Sequence, residues 1–117
     1  MGGFKGTLTP IIIPAFAPSR DVLLGLVRGL EALGFHEFVI VDDGSGPKYE
    51  ETFSALAENP RVTLLRHAVN LGKGAALKAA FNEVLNRGGE VAVTVDADGQ
   101  HHPEDVFKVA KAALGNP

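Results

Sequence analysis

The 117-residue sequence contains no cysteine. That excludes a disulfide scaffold, a thiolate metal site and a cysteine nucleophile, and it fits a reducing compartment. An excess of basic charge is also lacking, since 11 Lys and Arg stand against 14 Asp and Glu for a formal charge of -3. Sequence-independent nucleic-acid binding is therefore disfavoured, and any phosphate bound here needs local donors. Long apolar runs are missing too. The longest, Pro10 to Ala17, contains two prolines and falls far short of the ~18 residues of a membrane span. Met1 to Gly6 is too polar for a signal-peptide core and does not match a myristoylation site. The expectation is a soluble, cytoplasmic chain. Its 45% hydrophobic and 21% charged residues suit one globular domain over residues 1–117, with a sheet buried between helices.

What is present is an alternation of strands and helices. Leu8 to Ile13 is a β-branched run closed by Pro14, and Ser19-Arg20-Asp21 offers caps for a helix carrying Val22, Leu23, Leu26, Val27, Leu30 and Leu33. Gly34 suits the left-handed stop of that helix, and Phe38 to Val41 reads as a second strand ending in Asp42-Asp43-Gly44-Ser45. A weaker helix spans Tyr49 to Glu58, and Asn59-Pro60 breaks it before a third strand at Val62 to Leu65. A third helix from Gly74 to Arg87 would present Leu77, Phe81, Val84 and Leu85 on one face and stop at Gly88-Gly89. Val91 to Val95 is the fourth strand, and Pro103 starts a fourth helix reaching about Leu114. This βαβαβαβα order implies a parallel sheet of about four strands covered by helices on both faces, with ligands beyond the carboxyl ends of its strands.

The acidic residues sit at those ends. Asp96 and Asp98 follow the fourth strand with only Ala97 between them, so in extended geometry both carboxylates point the same way and could share one hard cation, Mg2+ or Mn2+. Gln100 offers a further oxygen. The same residues also suit a plain turn. Asp42-Asp43-Gly44-Ser45 divides in the same way between ligand contact and loop, because its carboxylates can accept from base or ribose donors. Gly72-Lys73-Gly74 opens the third helix, where free amides and the lysine could face a phosphate or where glycine could simply allow tight packing. The adjacent His101 and His102 lack the spacing of helical metal ligands, and His101 is the better candidate for a substrate contact. His36 and His67 read as ordinary surface or loop histidines.

The ordered set Ile13-Pro14-Ala15-Phe16, Val41-Asp42-Asp43-Gly44-Ser45, Asn70-Leu71-Gly72-Lys73-Gly74 and Asp96-Ala97-Asp98-Gly99-Gln100-His101 resembles family 2 glycosyltransferases of the GT-A fold. Within that family it looks most like the polyprenyl-phosphate (dolichyl-phosphate) mannose and glucose synthases. The resemblance implies a three-layer, Rossmann-like nucleotide-binding half with strand order 3-2-1-4. It implies that Pro14, Phe16 and Asp42 line the base and ribose, and that Asp96, Asp98 and Gln100 hold the metal on the diphosphate, with Asp43, Gly72, Lys73 and Ala97 completing the nucleotide site. It further implies inverting transfer of a hexose from a UDP- or GDP-linked sugar to an acceptor such as polyprenyl phosphate, with the full-length protein at the cytoplasmic face of the membrane. One departure is that the family often has Asn-Glu where this chain has Ala17-Pro18.

The chain stops at Gly115-Asn116-Pro117, before the family's acceptor-binding half, so it reads as the N-terminal part of a longer transferase with its catalytic base downstream of Pro117. The fourth strand would then expose an edge expected to pair in a homodimer or to aggregate. A stand-alone nucleotide-binding or regulatory module is the alternative. A receiver-like phosphoacceptor domain fits less well, because Asp42-Asp43 follows the second strand and no later strand carries the expected lysine.

Overall fold

The computed structural model describes residues 9–98. Four strands, β1 (Ile11–Ala15), β2 (Phe38–Asp43), β3 (Val62–His67) and β4 (Val93–Thr94), form one sheet in the order β3-β2-β1-β4, and every pair is parallel. Three helices, α1 (Arg20–Ala32), α2 (Glu50–Ala57) and α3 (Lys73–Asn86), connect them, with a single 3-10 turn at Pro47–Tyr49 leading into α2. The expected strand order is the observed one. The expected fourth helix lies outside the described residues.

Alternation along the strands builds two cores. Ile11, Ile13, Phe38 and Ile40 face one way and pack with Leu23, Val27 and Leu30 of α1 and Phe53 and Leu56 of α2. Ile12, Val39 and Val41 face the other way, onto Ala76, Ala80 and Val84 of α3. Strands buried on both faces need these near-continuous apolar runs, and β1 and β2 supply them.

Three local readings differ from expectation; the fourth strand, expected over Val91 to Val95, is reduced to Val93–Thr94. Pro14 does not close the first strand but lies inside it, paired with Val41. Ile11 donates to Glu37 on the β2 side, whereas Ile12 accepts from Val95 on the β4 side, so the alternating Pro14 directs its missing N–H toward β4, beyond that strand's last ladder pair at Thr94. The buried stripe of α3 is Ala76, Ala80 and Val84, with Leu77 and Phe81 only partly buried and Leu85 exposed. Alanine brings the helix backbone close to a sheet face already filled by Ile12, Val39 and Val41, and the larger residues fit only at the flanks of that contact.

The α1 end follows its sequence. Ser19 caps the helix, its Oγ accepting from the Val22 amide at 3.4 Å. Gly34 has φ 102°, and the amides of Gly34 and Phe35 return to the carbonyls of Glu31 and Leu30, a left-handed cap that seats Phe35 in the core.

Candidate functional site

The crossover through α1 carries the chain from β1 to β2, and the crossover through α3 carries it back to β4 on the opposite side of β1. The order therefore reverses between β1 and β4, and an open parallel sheet forms its ligand crevice at that point. A cleft of about 450 Å³ lies there. One wall is the end of β1, with Pro14 and the 58% exposed Phe16, and another is the turn after β4, with Asp96, Ala97 and Asp98. Asp43, Gly72 and Lys73 close the third side. Of the residues singled out from sequence, Asp42 is not among those lining this cleft, and Gln100 and His101 fall outside the described residues.

The two adjacent aspartates of β2 point to opposite faces of the sheet, as strand alternation requires. Asp42 turns toward the α2 side. Its Oδ1 accepts from the Ser45 amide at 2.9 Å, and its Oδ2 accepts from Arg66 Nη2 at 3.1 Å and Nε at 3.3 Å. Arg66 also makes two bonds to Glu50, at 2.7 and 3.1 Å, and lies over the Phe53 ring. Hydrogen bonds from Arg66 and Ser54 hold the Glu50 carboxyl below the usual range.

Asp43 turns toward α3 and organises the loop in front of it. Its carboxylate meets His67 Nδ1 at 2.8 Å, Asn70 Nδ2 at 3.2 Å, and the amides of Leu71 and Gly72 at 2.9 and 2.8 Å. Burial pushes its pKa up, but the bonds to His67, Leu71 and Gly72 outweigh this and bring it below the ordinary carboxylate value. An internal anion thus already sits before α3. The Leu71 and Gly72 amides are committed to it, which leaves Lys73 as the cationic group on this wall of the cleft.

Lys73 reaches across to the acidic turn, its Nζ 2.8 Å from Asp96 Oδ1. The turn is not the extended pair expected from spacing. Strand β4 ends at Thr94 and residues 97–98 form a turn, so Asp96 and Asp98 share the cleft through loop geometry instead of strand alternation.

Two more contacts fix the cleft rim. The Ala17 amide donates to Ser45 Oγ at 2.9 Å, and Ala17 adopts φ 48°, tying the loop after β1 to the loop after β2. Gly44, at φ 74°, lets that second loop touch the backbone of Val69 and Asn70, where a Cβ would collide.

Arg66 and His67 were not legible as site-organising residues from sequence, and the reading of His67 as an ordinary histidine is corrected. Its side chain is 16% exposed and bonded to Asp43. The signal is pairwise: Arg66 and His67 lie in register with Asp42 and Asp43, so each carboxylate gains its basic partner only once β2 and β3 are aligned.

The family model for glycosyl transferase family 2 matches residues 11–117. The chain belongs to that family. An uncharacterised protein of Methanocaldococcus jannaschii is 37% identical over 89% of this chain and 41% of its own length. The polyprenol monophosphomannose synthase of Mycolicibacterium smegmatis is 35% identical over 89% of this chain and 40% of its own length. The chain thus spans about two-fifths of the length of these relatives. Among solved structures, a mannosyltransferase from Pyrobaculum calidifontis in complex with GDP-Man and Mn2+ superposes with a TM-score of 0.62 at 22% identity, covering 77% of this chain and 27% of that one. The family's GT-A fold, expected from the motifs, is the fold found. Among the described residues no helix is long and apolar enough to cross a membrane.

Proposed function

We propose that residues 1–117 are the nucleotide-sugar-binding domain of an inverting glycosyltransferase, the N-terminal part of a longer protein whose catalytic base lies downstream. The observation that carries this reading is one cleft at the strand-order switch, lined by an exposed aromatic ring, a lysine and the two carboxylates of Asp96 and Asp98. The Asp96 carboxylate already draws the Lys73 ammonium to 2.8 Å, which supports a cleft that favours cations. Asp96 and Asp98, with Gln100, would hold Mg2+ or Mn2+ as hard oxygen donors. Bound there, the ion supplies charge stabilisation for the departing nucleoside diphosphate.

In this reading Pro14 and Phe16 face the nucleoside. Asp42 lies outside the cleft and would support the base side indirectly, by holding the Ser45 loop whose Oγ accepts from the Ala17 amide. Asp43 and Gly72 shape the wall that presents Lys73, and Ala97 spaces the two metal-binding carboxylates. The donor is a UDP- or GDP-linked hexose. The relatives named as polyprenol and undecaprenyl-phosphate transferases support polyprenyl phosphate as acceptor and a place at the cytoplasmic membrane face.

Titration calorimetry with UDP and GDP, each with Mn2+ and with chelator, tests the proposal. The expected result is binding that is stronger with the metal. Metal-independent binding would remove Asp96 and Asp98 from the nucleotide site.

A further inference from the structure

Lys73 opens α3, Asp96 follows β4, and the two, 23 positions apart in sequence, meet across the cleft. Both are accessible, with 63% of the lysine side chain and 35% of the aspartate side chain exposed. Building on the metal–nucleotide reading above, we propose that Lys73 is a resident counter-ion of Asp96 that changes partner when ligand enters. Its ammonium leaves Asp96 to the divalent cation and takes up an oxygen of the diphosphate.

Three observations support the exchange. An ammonium 2.8 Å from Asp96 Oδ1 occupies the space and the charge that a divalent cation on that carboxylate requires, and two cations so close repel each other. The two residues, together with Asp98, line one cleft of about 450 Å³, so a displaced ammonium remains within reach of a diphosphate lying there. The base of the lysine is fixed while its end is free to swing. The preceding loop is pinned by Asp43 through the Leu71 and Gly72 amides, and Ala76, one helical turn on, is buried against the sheet. The motion is therefore one of side-chain rotamers on a flexible four-carbon stem.

The exchange makes the order of binding matter. A metal ion arriving alone must displace Lys73 and offers its ammonium no new partner. A metal ion arriving with a diphosphate offers one. Metal and nucleotide therefore strengthen each other's binding, and by linkage the effect is reciprocal. Lys73 offsets part of the cleft's negative charge between ligands and disfavours loading by bare metal.

The test uses the 117-residue chain and its Lys73→Met, Lys73→Gln and Lys73→Arg variants. Manganese binding without nucleotide is read from the electron-paramagnetic-resonance signal of free Mn2+, and UDP and GDP binding with Mn2+ from calorimetry. Removing the charge is expected to tighten Mn2+ alone by roughly two- to fivefold, the range of a partly exposed ion pair, and to weaken nucleotide binding in the presence of Mn2+. Lys73→Arg retains the charge and keeps Mn2+ alone weak. Unchanged Mn2+ affinity in both neutral variants, with metal-dependent nucleotide binding intact in the parent, would overturn the role of Lys73 and leave the proposed function standing. A parent chain whose nucleotide binding is indifferent to Mn2+ would overturn both.

Discussion

Three residues at or just beyond the strand ends carry separable expectations. Asp43 accepts four hydrogen bonds, and Asn in its place would set its one amide nitrogen against the donors of one oxygen, either His67 and the Leu71 amide or Asn70 and the Gly72 amide, so Asp43→Asn should destabilise the fold by about 2–3 kcal/mol. Its folded-state pKa lies below the ordinary value, so its contribution is complete above the unfolded pKa and is lost as pH falls through the folded one. Urea unfolding between pH 6 and pH 3 should therefore show a steeper acid loss in the parent than in the variant. Gly44→Ala meets a left-handed backbone and the main chain of Val69 and Asn70 at once, and about 2–4 kcal/mol of destabilisation is expected in the same assay. Asp98→Asn differs in kind. Asn suits a turn as well as Asp does, so folding should survive while metal-assisted nucleotide affinity falls by roughly tenfold, or ~1.4 kcal/mol. A folded variant with unchanged metal dependence would take Asp98 out of the site.

At the scale of elements, α3 couples packing to chemistry. Its buried stripe of Ala76, Ala80 and Val84 sets how near the helix lies to β1 and β2, and its first residue, Lys73, is thereby held at the cleft. Ala80→Leu would force additional volume against Ile12, Val39 and Val41 and should cost about 1–3 kcal/mol by overpacking. The same displacement should move Lys73 away from Asp96. Thermal melts report the first effect, and a chemical-shift change at the Lys73 ammonium reports the second. A melt unchanged from the parent would show that the α3 face has room that the packing of these alanines denies.

For the whole molecule, β4 is, with β3, one of two edge strands among the described residues. It pairs with β1 through Ile11↔Val93 and Ile12↔Thr94 and lies at the end of the sheet order. An uncovered edge offers backbone donors and acceptors to another chain, so the 117-residue chain should dimerise or aggregate as concentration rises. Light scattering that reports a persistent monomer would mean that the edge is covered within the chain. Sugar transfer to polyprenyl phosphate by this chain alone should be undetectable, because relatives are more than twice as long and the acceptor side is proposed to lie beyond residue 117. Robust transfer in a radiolabelled-sugar assay would refute that division of labour.

The sequence alone determined the elements that depend on local chemistry. The apolar strand runs, the Ser19 cap and the Gly34 stop are decided by rotamer crowding, capping bonds and backbone sterics within a few residues; the cap and stop lie where expected, whereas the first strand, expected over Leu8 to Ile13, is Ile11–Ala15 in the described residues. The motif residues at the strand ends were likewise legible, because short acidic turns after buried strands lie where parallel sheets bind ligands. Tertiary structure alone decided how those residues divide their work. Asp42 and Asp43 look equivalent in the chain, yet the pleat sends one to Arg66 and the other to His67 and the α3 loop. The Lys73–Asp96 pair, 23 residues apart, exists only because two crossovers bring α3 and β4 to the same cleft. Which α3 face is buried also followed from the space above the sheet and not from hydrophobicity, since the room between Ile12, Val39 and Val41 and the helix admits alanine where the sequence pattern favours leucine.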